Sequence, residues 1–205
     1  MDAIEKLKEL FKKFPGIGPK QAERFVFFLL HSNKQLRQDI ANAIIQLDKS
    51  VTSCESCERF FVDENDKKLC AICANTNRNS RQLIIVEKES DIDKIENANT
   101  GYNGKYFISK GTVSPLKDSL SHKRYIDRIK RKLQNDNVDE LILAFSTTFE
   151  GEYSAKFVKE ELLLDECFEK IKITTLGRGL SSGAEIEYAD PETLKYALKN
   201  RLRLK

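Results

Sequence analysis

Four cysteines lie in one short stretch with the spacing C-x2-C-x12-C-x2-C: Cys54, Cys57, Cys70 and Cys73. Each two-residue gap lets one tight turn present two thiolates to the same ion, and the twelve residues between the pairs let the second pair complete a tetrahedron. Four thiolates leave no open position for water. The spacing therefore predicts one structural Zn²⁺ per chain, and Arg59, Lys67 and Lys68 are near enough in sequence to offset its excess negative charge.

A glycine turn precedes the cysteines. The sequence Pro15-Gly16-Ile17-Gly18-Pro19-Lys20 lets the backbone reverse between two helices and exposes amides at the start of the second helix, where a phosphate can bind. Lys20 and Arg24 are four residues apart and share a helix face. Gly16, Gly18, Lys20 and Arg24 thus form a candidate DNA-binding site of the helix-hairpin-helix type, independent of base sequence. The alternative is an ordinary turn between helices with solvated charges.

Three glutamates follow predicted strands: Glu87 after one strand, and Glu150 and Glu152 after another. Ligand sites in open α/β sheets lie at the carboxyl ends of strands, so these acids suggest Mg²⁺ chemistry. The other interpretation is that Glu150 and Glu152 precede a helix beginning near Tyr153 and complement its dipole. The residues alone leave both interpretations open.

The remaining candidate features are weaker. Cys167 lies among leucines and Phe168, which predicts a small buried hydrophobic residue. The segment 177–183 is rich in glycine but lacks the Lys-Ser/Thr of a P-loop, which favours a mobile or interface-forming loop over a nucleotide site. Two basic clusters, at 123–132 and 195–205, are either nucleic-acid contacts or solvated helix faces.

Composition favours several small units over one large one. The chain has 205 residues, of which 40% are hydrophobic and 33% charged, and its net charge of +3 does not by itself indicate nucleic-acid binding. No stretch approaches the roughly 20 apolar residues that span a bilayer, and the N-terminus lacks the features of a signal peptide. We therefore expect a cytoplasmic protein with no membrane partner, where reducing conditions favour metal binding over disulfides.

Hydrophobic periodicity predicts an α+β multidomain protein. Three helices occupy residues 1–53; the first ends before Pro15, the second runs from about Pro19 to His31, and the three offer little independent core. After a polar linker at 75–80, strands and helices alternate, which implies a parallel sheet covered by helices. The predicted strands lie at 83–86, 106–108, 141–145 and 171–174, and the helices at 91–98, 121–134, 153–164 and from Pro191.

The predicted order is a helix-hairpin-helix region at 1–53, a four-cysteine finger at 54–76, an α/β domain at 80–175 and a C-terminal loop and helix at 176–205. This order resembles the RecR family of bacterial recombination mediator proteins over nearly the whole chain. Besides the four cysteines, the likeness rests on residues 7–24, Val86-Glu87, Thr100-Gly101-Tyr102, Ser114-Pro115-Leu116, Thr148-Phe149-Glu150-Gly151-Glu152, Arg178-Gly179-Leu180 and Ile186-Glu187-Tyr188-Ala189-Asp190.

The resemblance implies that residues 80–175 form a Toprim domain, the fold in which topoisomerases and bacterial primases hold Mg²⁺ with a Glu and an Asp-x-Asp pair. Glu87 matches that pattern, but Glu150-Gly151-Glu152 stands where the aspartates would be. The family is regarded as non-enzymatic, so the acids would belong to a partner-binding surface. The segment 117–120 also departs from the glycine-containing sequence common in the family.

The resemblance further implies the partners. Family members act with RecO, and in some bacteria with RecF, to load RecA at DNA gaps coated with single-strand-binding protein. Family members can assemble as ring-like tetramers, so we expect a homo-oligomer, either a dimer or a ring-like tetramer. A 205-residue chain with a radius of gyration of about 17 Å cannot surround a duplex alone. The alternatives are a Mg²⁺-dependent Toprim nuclease or primase-like enzyme and an interaction module without DNA contact.

Overall fold

A computed structural model describes residues 1–63, 66–116 and 119–203. The chain divides into two compact units, Met1–Thr52 with Val62–Asp66, and Ser53–Phe61 with Lys67–Lys205. We call them the helical unit and the sheet unit. Two of the sequence-based expectations concern residues outside this described part. They are Lys117 and Asp118 of the divergent segment, and Lys205 of the basic tail.

The helical unit contains three helices: α1 (Ala3–Phe11), α2 (Pro19–His31) and α3 (Lys34–Ser50). Asp2 and Asn33 cap α1 and α3 by accepting a hydrogen bond from a backbone amide of the first turn, and Pro19 occupies the first position of α2, where its missing N–H costs nothing. The predicted bounds of α2 are confirmed. The first helix ends at Phe11, so Phe14 lies in the following turn and not on the predicted helical face.

Little of the helical unit is buried. Among its described residues only Ala22 and Val26 are buried, whereas Phe28 and Ile44 are about 60% exposed. This agrees with the expectation that the region offers little independent core. A packing partner for these helices, whether the cysteine module or another subunit, stays a prediction.

Two short strands, β1 (Val51–Ser53) and β2 (Phe60–Val62), pair with each other, and the single-turn helix α4 (Ala71–Ala74) begins directly after Cys70. Then follows a four-stranded sheet with the order β4-β3-β5-β6, in which all neighbours are parallel, as predicted. Its strands are β3 (Asn79–Val86), β4 (Gly104–Ile108), β5 (Glu140–Ala144) and β6 (Lys172–Thr175). Because β3 begins at Asn79, the linker is shorter than predicted.

Helices cover both faces of this sheet. They are α5 (Glu89–Asn97), α6 (Ser119–Asp136) and α7 (Phe149–Leu163), and α8 (Pro191–Lys199) follows near the C-terminus. Alternate residues of β3 enter two separate cores: Leu83 and Ile85 pack with α6 and α7, while Ile84 and Val86 pack with α5. This explains why a parallel strand buried on both faces reads as a continuous apolar run.

Helix α7 begins earlier than predicted. The hydroxyl of Thr148 accepts a hydrogen bond from the amide of Gly151 (3.2 Å) and caps the helix, so Glu150 and Glu152 lie inside its first turn and do not precede it. Acids in a first turn complement the helix dipole in the same way. Among the described residues, no helix has the length and apolarity required to cross a membrane.

Candidate metal centre and nucleic-acid interface

The four cysteines converge. One ligand atom from each of Cys54, Cys57, Cys70 and Cys73 lies within 4.8 Å of the others, and the first three are buried. The sulfurs of Cys57 and Cys70 are 3.7 Å apart. A tetrahedron of thiolates with metal–sulfur bonds of about 2.3 Å has edges of about 3.8 Å. The cluster can therefore hold a metal ion.

Matching turns present the two cysteine pairs. The amide of Glu58 donates to the carbonyl of Cys54, and the amide of Ala74 donates to the carbonyl of Cys70, each over 2.9 Å. Hydrogen bonds from the neighbouring thiols, Cys57 first, lower the pKa of Cys54 well below its ordinary value. The cluster thus favours a thiolate at Cys54, which is the form that binds a metal.

Two cations expected to offset the charge of this cluster have other partners. Arg59 pairs with Asp93 on α5 (2.5 Å), and Lys68 pairs with Glu55 (3.3 Å). Whether they also compensate a bound metal stays a prediction.

The glycine turn places its two basic residues on the surface. Gly16 has a φ of +78°, in the left-handed region that glycine adopts without strain, and Gly18 is the N-cap of α2. Lys20 and Arg24 are exposed and have no ion pair or hydrogen bond from their side chains among the described residues. The geometry leaves both cations available to a phosphate backbone, and DNA contact stays a prediction.

The three glutamates are used differently. Glu87 accepts a hydrogen bond from the amide of Ser146 (2.6 Å), and Glu152 pairs with Arg178 (2.5 Å), while Glu150 is exposed and its carboxylate has no partner among the described residues. In the described part of the chain, the cysteines are the one group that brings three or more potential metal ligands within 4.8 Å. The glutamates therefore do not form such a group.

Gly151 explains how close the residues after β3 and β5 come to the first turn of α7. A Cβ at this position would lie 2.1 Å from the carbonyl oxygen of Ser146, so only glycine allows the first turn of α7 to approach Ser146 this closely. Since Ser146 also binds Glu87, the close approach brings Glu87 next to the helix that carries Glu150 and Glu152.

The Gly-rich segment is tied to the sheet unit by Arg178, which the sequence did not single out for this role. Its guanidinium binds Glu152 and lies 5.0 Å from the ring centre of Tyr196 on α8, and its carbonyl accepts a hydrogen bond from Asn200 (2.8 Å). A polar cleft of about 450 Å³ lies beside these residues. These contacts connect the segment to α7 and α8 of its own chain, and an interface with another molecule stays a prediction.

Ion pairs divide the first basic cluster. Arg128, Lys130 and Lys132 of α6 pair with acids, whereas Lys123 and Arg124 are exposed and without a partner among the described residues. The acids are Glu58, Asp165 and Asp136, in the same order. Half of the cluster therefore stabilises the fold. In the second cluster, Lys195 and Lys199 are exposed.

The prediction for Cys167 was wrong. It is exposed, because the segment Glu166–Phe168 forms a single 3-10 turn in which only Phe168 is buried. The neighbouring leucines Leu163 and Leu164 are exposed as well, so the apolar run does not mark a core.

Known proteins match this chain over nearly its whole length. The family model "RecR, helix-hairpin-helix" matches residues 4–47, the Toprim domain model matches 81–176, and "RecR, C-terminal" matches 179–202. A recombination protein RecR of Legionella pneumophila is 35% identical over 201 residues, covering 98% of this chain and 96% of its own. The recombination protein RecR of Roseiflexus castenholzii is 36% identical over 198 residues, covering 97% and 92%.

Proposed function

The chain belongs to the family of the recombination protein RecR, and from this premise we propose that it is a DNA-binding mediator of recombinational repair. It acts with RecO, and with RecF where that protein is present, to load RecA at single-strand gaps in the cytoplasm. The observation that carries DNA binding is the pair Lys20 and Arg24, exposed at a glycine turn without partners among the described residues. Gly16 and Gly18 shape the turn that presents them.

Each segment has a proposed role. Residues 1–53 bind DNA, residues 54–76 hold one structural Zn²⁺ through the four cysteines, residues 80–175 form the Toprim domain, and residues 176–205 form the C-terminal loop and helix. The thiolate chemistry and the sulfur separation of 3.7 Å support zinc. The functional protein is a homo-oligomer, a dimer or a ring-like tetramer, since one copy is too small to surround a duplex.

We propose that the Toprim acids serve partner binding and not catalysis. Glu87 and Glu152 are already engaged by Ser146 and Arg178, and only Glu150 presents a carboxylate without a partner among the described residues. A cation held by all three acids would have to displace the Arg178 guanidinium. Glu150 is therefore the acid most available to a basic group on RecO.

A binding assay with purified RecO and gapped DNA tests the proposal. We expect a ternary complex with the wild-type chain, and weaker RecO binding with unchanged DNA binding in Glu150→Gln. Light scattering at several concentrations should report more than one copy; a monomer throughout would contradict the oligomer. Mg²⁺-dependent cleavage or primer synthesis that Glu87→Ala and Glu150→Ala abolish would instead establish the enzyme.

A further inference from the structure

We propose that Glu58 is a positioning residue that couples the cysteine cluster to the loop beside Glu87. Glu58 lies in the turn that presents Cys54 and Cys57, which we call the cysteine turn. Its carboxylate binds two cations, and these cations connect it to residues 109–111, which follow β4. The inference rests on the proposed function only in treating Glu87 as part of a partner-binding surface. All residues involved belong to the sheet unit.

The cysteine turn fixes the backbone of Glu58. This residue follows Cys57 directly, its amide donates to the carbonyl of Cys54 (2.9 Å), and its φ is +63°. A residue other than glycine is uncommon in the left-handed region and needs surrounding contacts to hold it there. Metal binding by Cys54 and Cys57 would supply that restraint.

The carboxylate of Glu58 binds two cations. Arg128 donates to it from Nε (3.0 Å) and Nη2 (2.6 Å), a bidentate pair, and Lys110 binds it over 2.7 Å. Charge-assisted bidentate pairs are among the stronger polar contacts and fix geometry as well as distance. Because Glu58 and Arg128 are partly buried, solvent screens their pair less than a surface ion pair, whereas Lys110 is exposed.

Arg128 connects Glu58 to the end of β4. Its guanidinium also donates to the carbonyls of Ile108 and Ser109, each over 3.1 Å, and lies over the ring of Phe107 at 5.4 Å. The cysteine turn contacts the same place directly, since the amide of Ile108 donates to the carbonyl of Cys57 (3.0 Å). Two routes therefore lead from the cluster to the end of β4.

The loop in turn contacts the backbone at Glu87. The amide of Ser109 donates to Val86 (2.9 Å), and the amide of Gly111 donates to the carbonyl of Glu87 (3.0 Å). The carboxylate of Glu87 then accepts from the amide of Ser146. A change at the cysteines can thus reach Glu87 through consecutive hydrogen bonds.

Hydrogen exchange of the zinc-loaded full chain tests this coupling in Glu58→Gln, which removes the charge and keeps the shape. We expect exchange of the Ser109 and Gly111 amides to become roughly tenfold faster, the effect of one lost charged hydrogen bond. The matched control is Asp93→Asn, which breaks the Arg59–Asp93 pair of the same cysteine turn but does not contact the loop. In that control these amides should exchange at the wild-type rate.

Removal of zinc by a chelator gives the second measurement. It should accelerate exchange at Ser109 and Gly111 in the wild type and accelerate it less in Glu58→Gln, where only the direct hydrogen bond between Ile108 and Cys57 still connects the cysteines to β4. If Glu58→Gln does not fold, Arg128→Met removes the same ion pair from the side of α6. It should accelerate hydrogen exchange of the same two amides. Unchanged exchange in both variants, or an equal acceleration in Asp93→Asn, overturns the proposal.

Neither measurement uses DNA or RecO. Failure of the coupling therefore leaves the proposed function standing, and failure of RecO binding leaves the coupling standing.

Discussion

In the helical unit, Lys20 and Arg24 are exposed with no partner among the described residues, whereas in the sheet unit Glu87 and Glu152 are engaged by Ser146 and Arg178. The two regions also differ in packing. The helical unit buries few residues, while the sheet unit has two dense cores on opposite faces of its sheet.

The difference shows that charge alone does not mark a binding surface. A charged residue can bind another molecule when its own chain does not already neutralise it. By this criterion Lys20 and Arg24 remain available to a ligand, and half of the α6 cluster is excluded although it is as basic in sequence. The free charges of the helical unit and the engaged charges of the sheet unit therefore predict different responses to mutation.

The largest expected effect is the loss of folding stability in the sheet unit when a metal-binding cysteine is replaced. In Cys70→Ser we expect loss of bound zinc by elemental analysis and insoluble or partly unfolded protein, because metal binding supplies folding free energy of several kcal/mol against a total of roughly 5–15 kcal/mol. Cys167→Ser is the matched control and should change stability by less than about 0.5 kcal/mol, since Cys167 is exposed. A soluble, fully folded, metal-free Cys70→Ser would contradict a structural metal.

The next effect concerns the free charges. Replacing Lys20 and Arg24 together by Ala should weaken DNA binding roughly ten- to a hundredfold near 0.1 M salt, equally for all base sequences, and reduce the slope of log K against log salt by about 2. Fluorescence anisotropy over a salt series measures both quantities.

Replacing Lys123 and Arg124 by Ala is the control, because these cations are equally exposed and also lack partners among the described residues. We expect a smaller loss of affinity there. An equal loss would mean that any free cation suffices and that the glycine turn has no special role.

The sequence predicted best those features that are encoded locally. The cysteine site follows from spacing within twenty residues, the start of α2 from Pro19, and the strands from apolar runs that pack on both faces. The start of α7 was predicted too late, because Gly151 is a poor helix former and hides the turn that Thr148 caps.

The engaged charges could not be predicted in this way. Arg178 and Glu152 are 26 positions apart, and Arg128 and Glu58 are 70 apart. Such pairs form only when the fold brings two segments together, and no local spacing records them. Which charges are free is therefore a property of the fold, although the charges themselves are visible in the sequence.

A smaller effect tests an engaged acid against a free one. Glu152→Gln should destabilise the chain by roughly 1 kcal/mol, because it weakens a partly exposed ion pair, and should loosen the C-terminal segment that Arg178 anchors. Glu150→Gln, two residues away, should change stability by less than about 0.5 kcal/mol. Thermal unfolding and limited proteolysis measure the two variants side by side. Equal behaviour would show that the Arg178 contact does not hold the segment.

The smallest expected effect on the fold is that of Cys167→Ser, and thiol labelling under native conditions measures it. Of the five cysteines, four converge on the metal site and Cys167 is exposed, so a thiol reagent should label one cysteine per zinc-loaded chain. Addition of a chelator and a denaturant should raise this to five. Because Cys167→Ser removes the accessible thiol without touching a core contact, it should reduce native labelling to zero while zinc content stays at one per chain. Rapid native labelling of two or more cysteines would show that the metal does not protect the cluster. The cysteines of the sheet unit would then be as available to another molecule as the free charges of the helical unit.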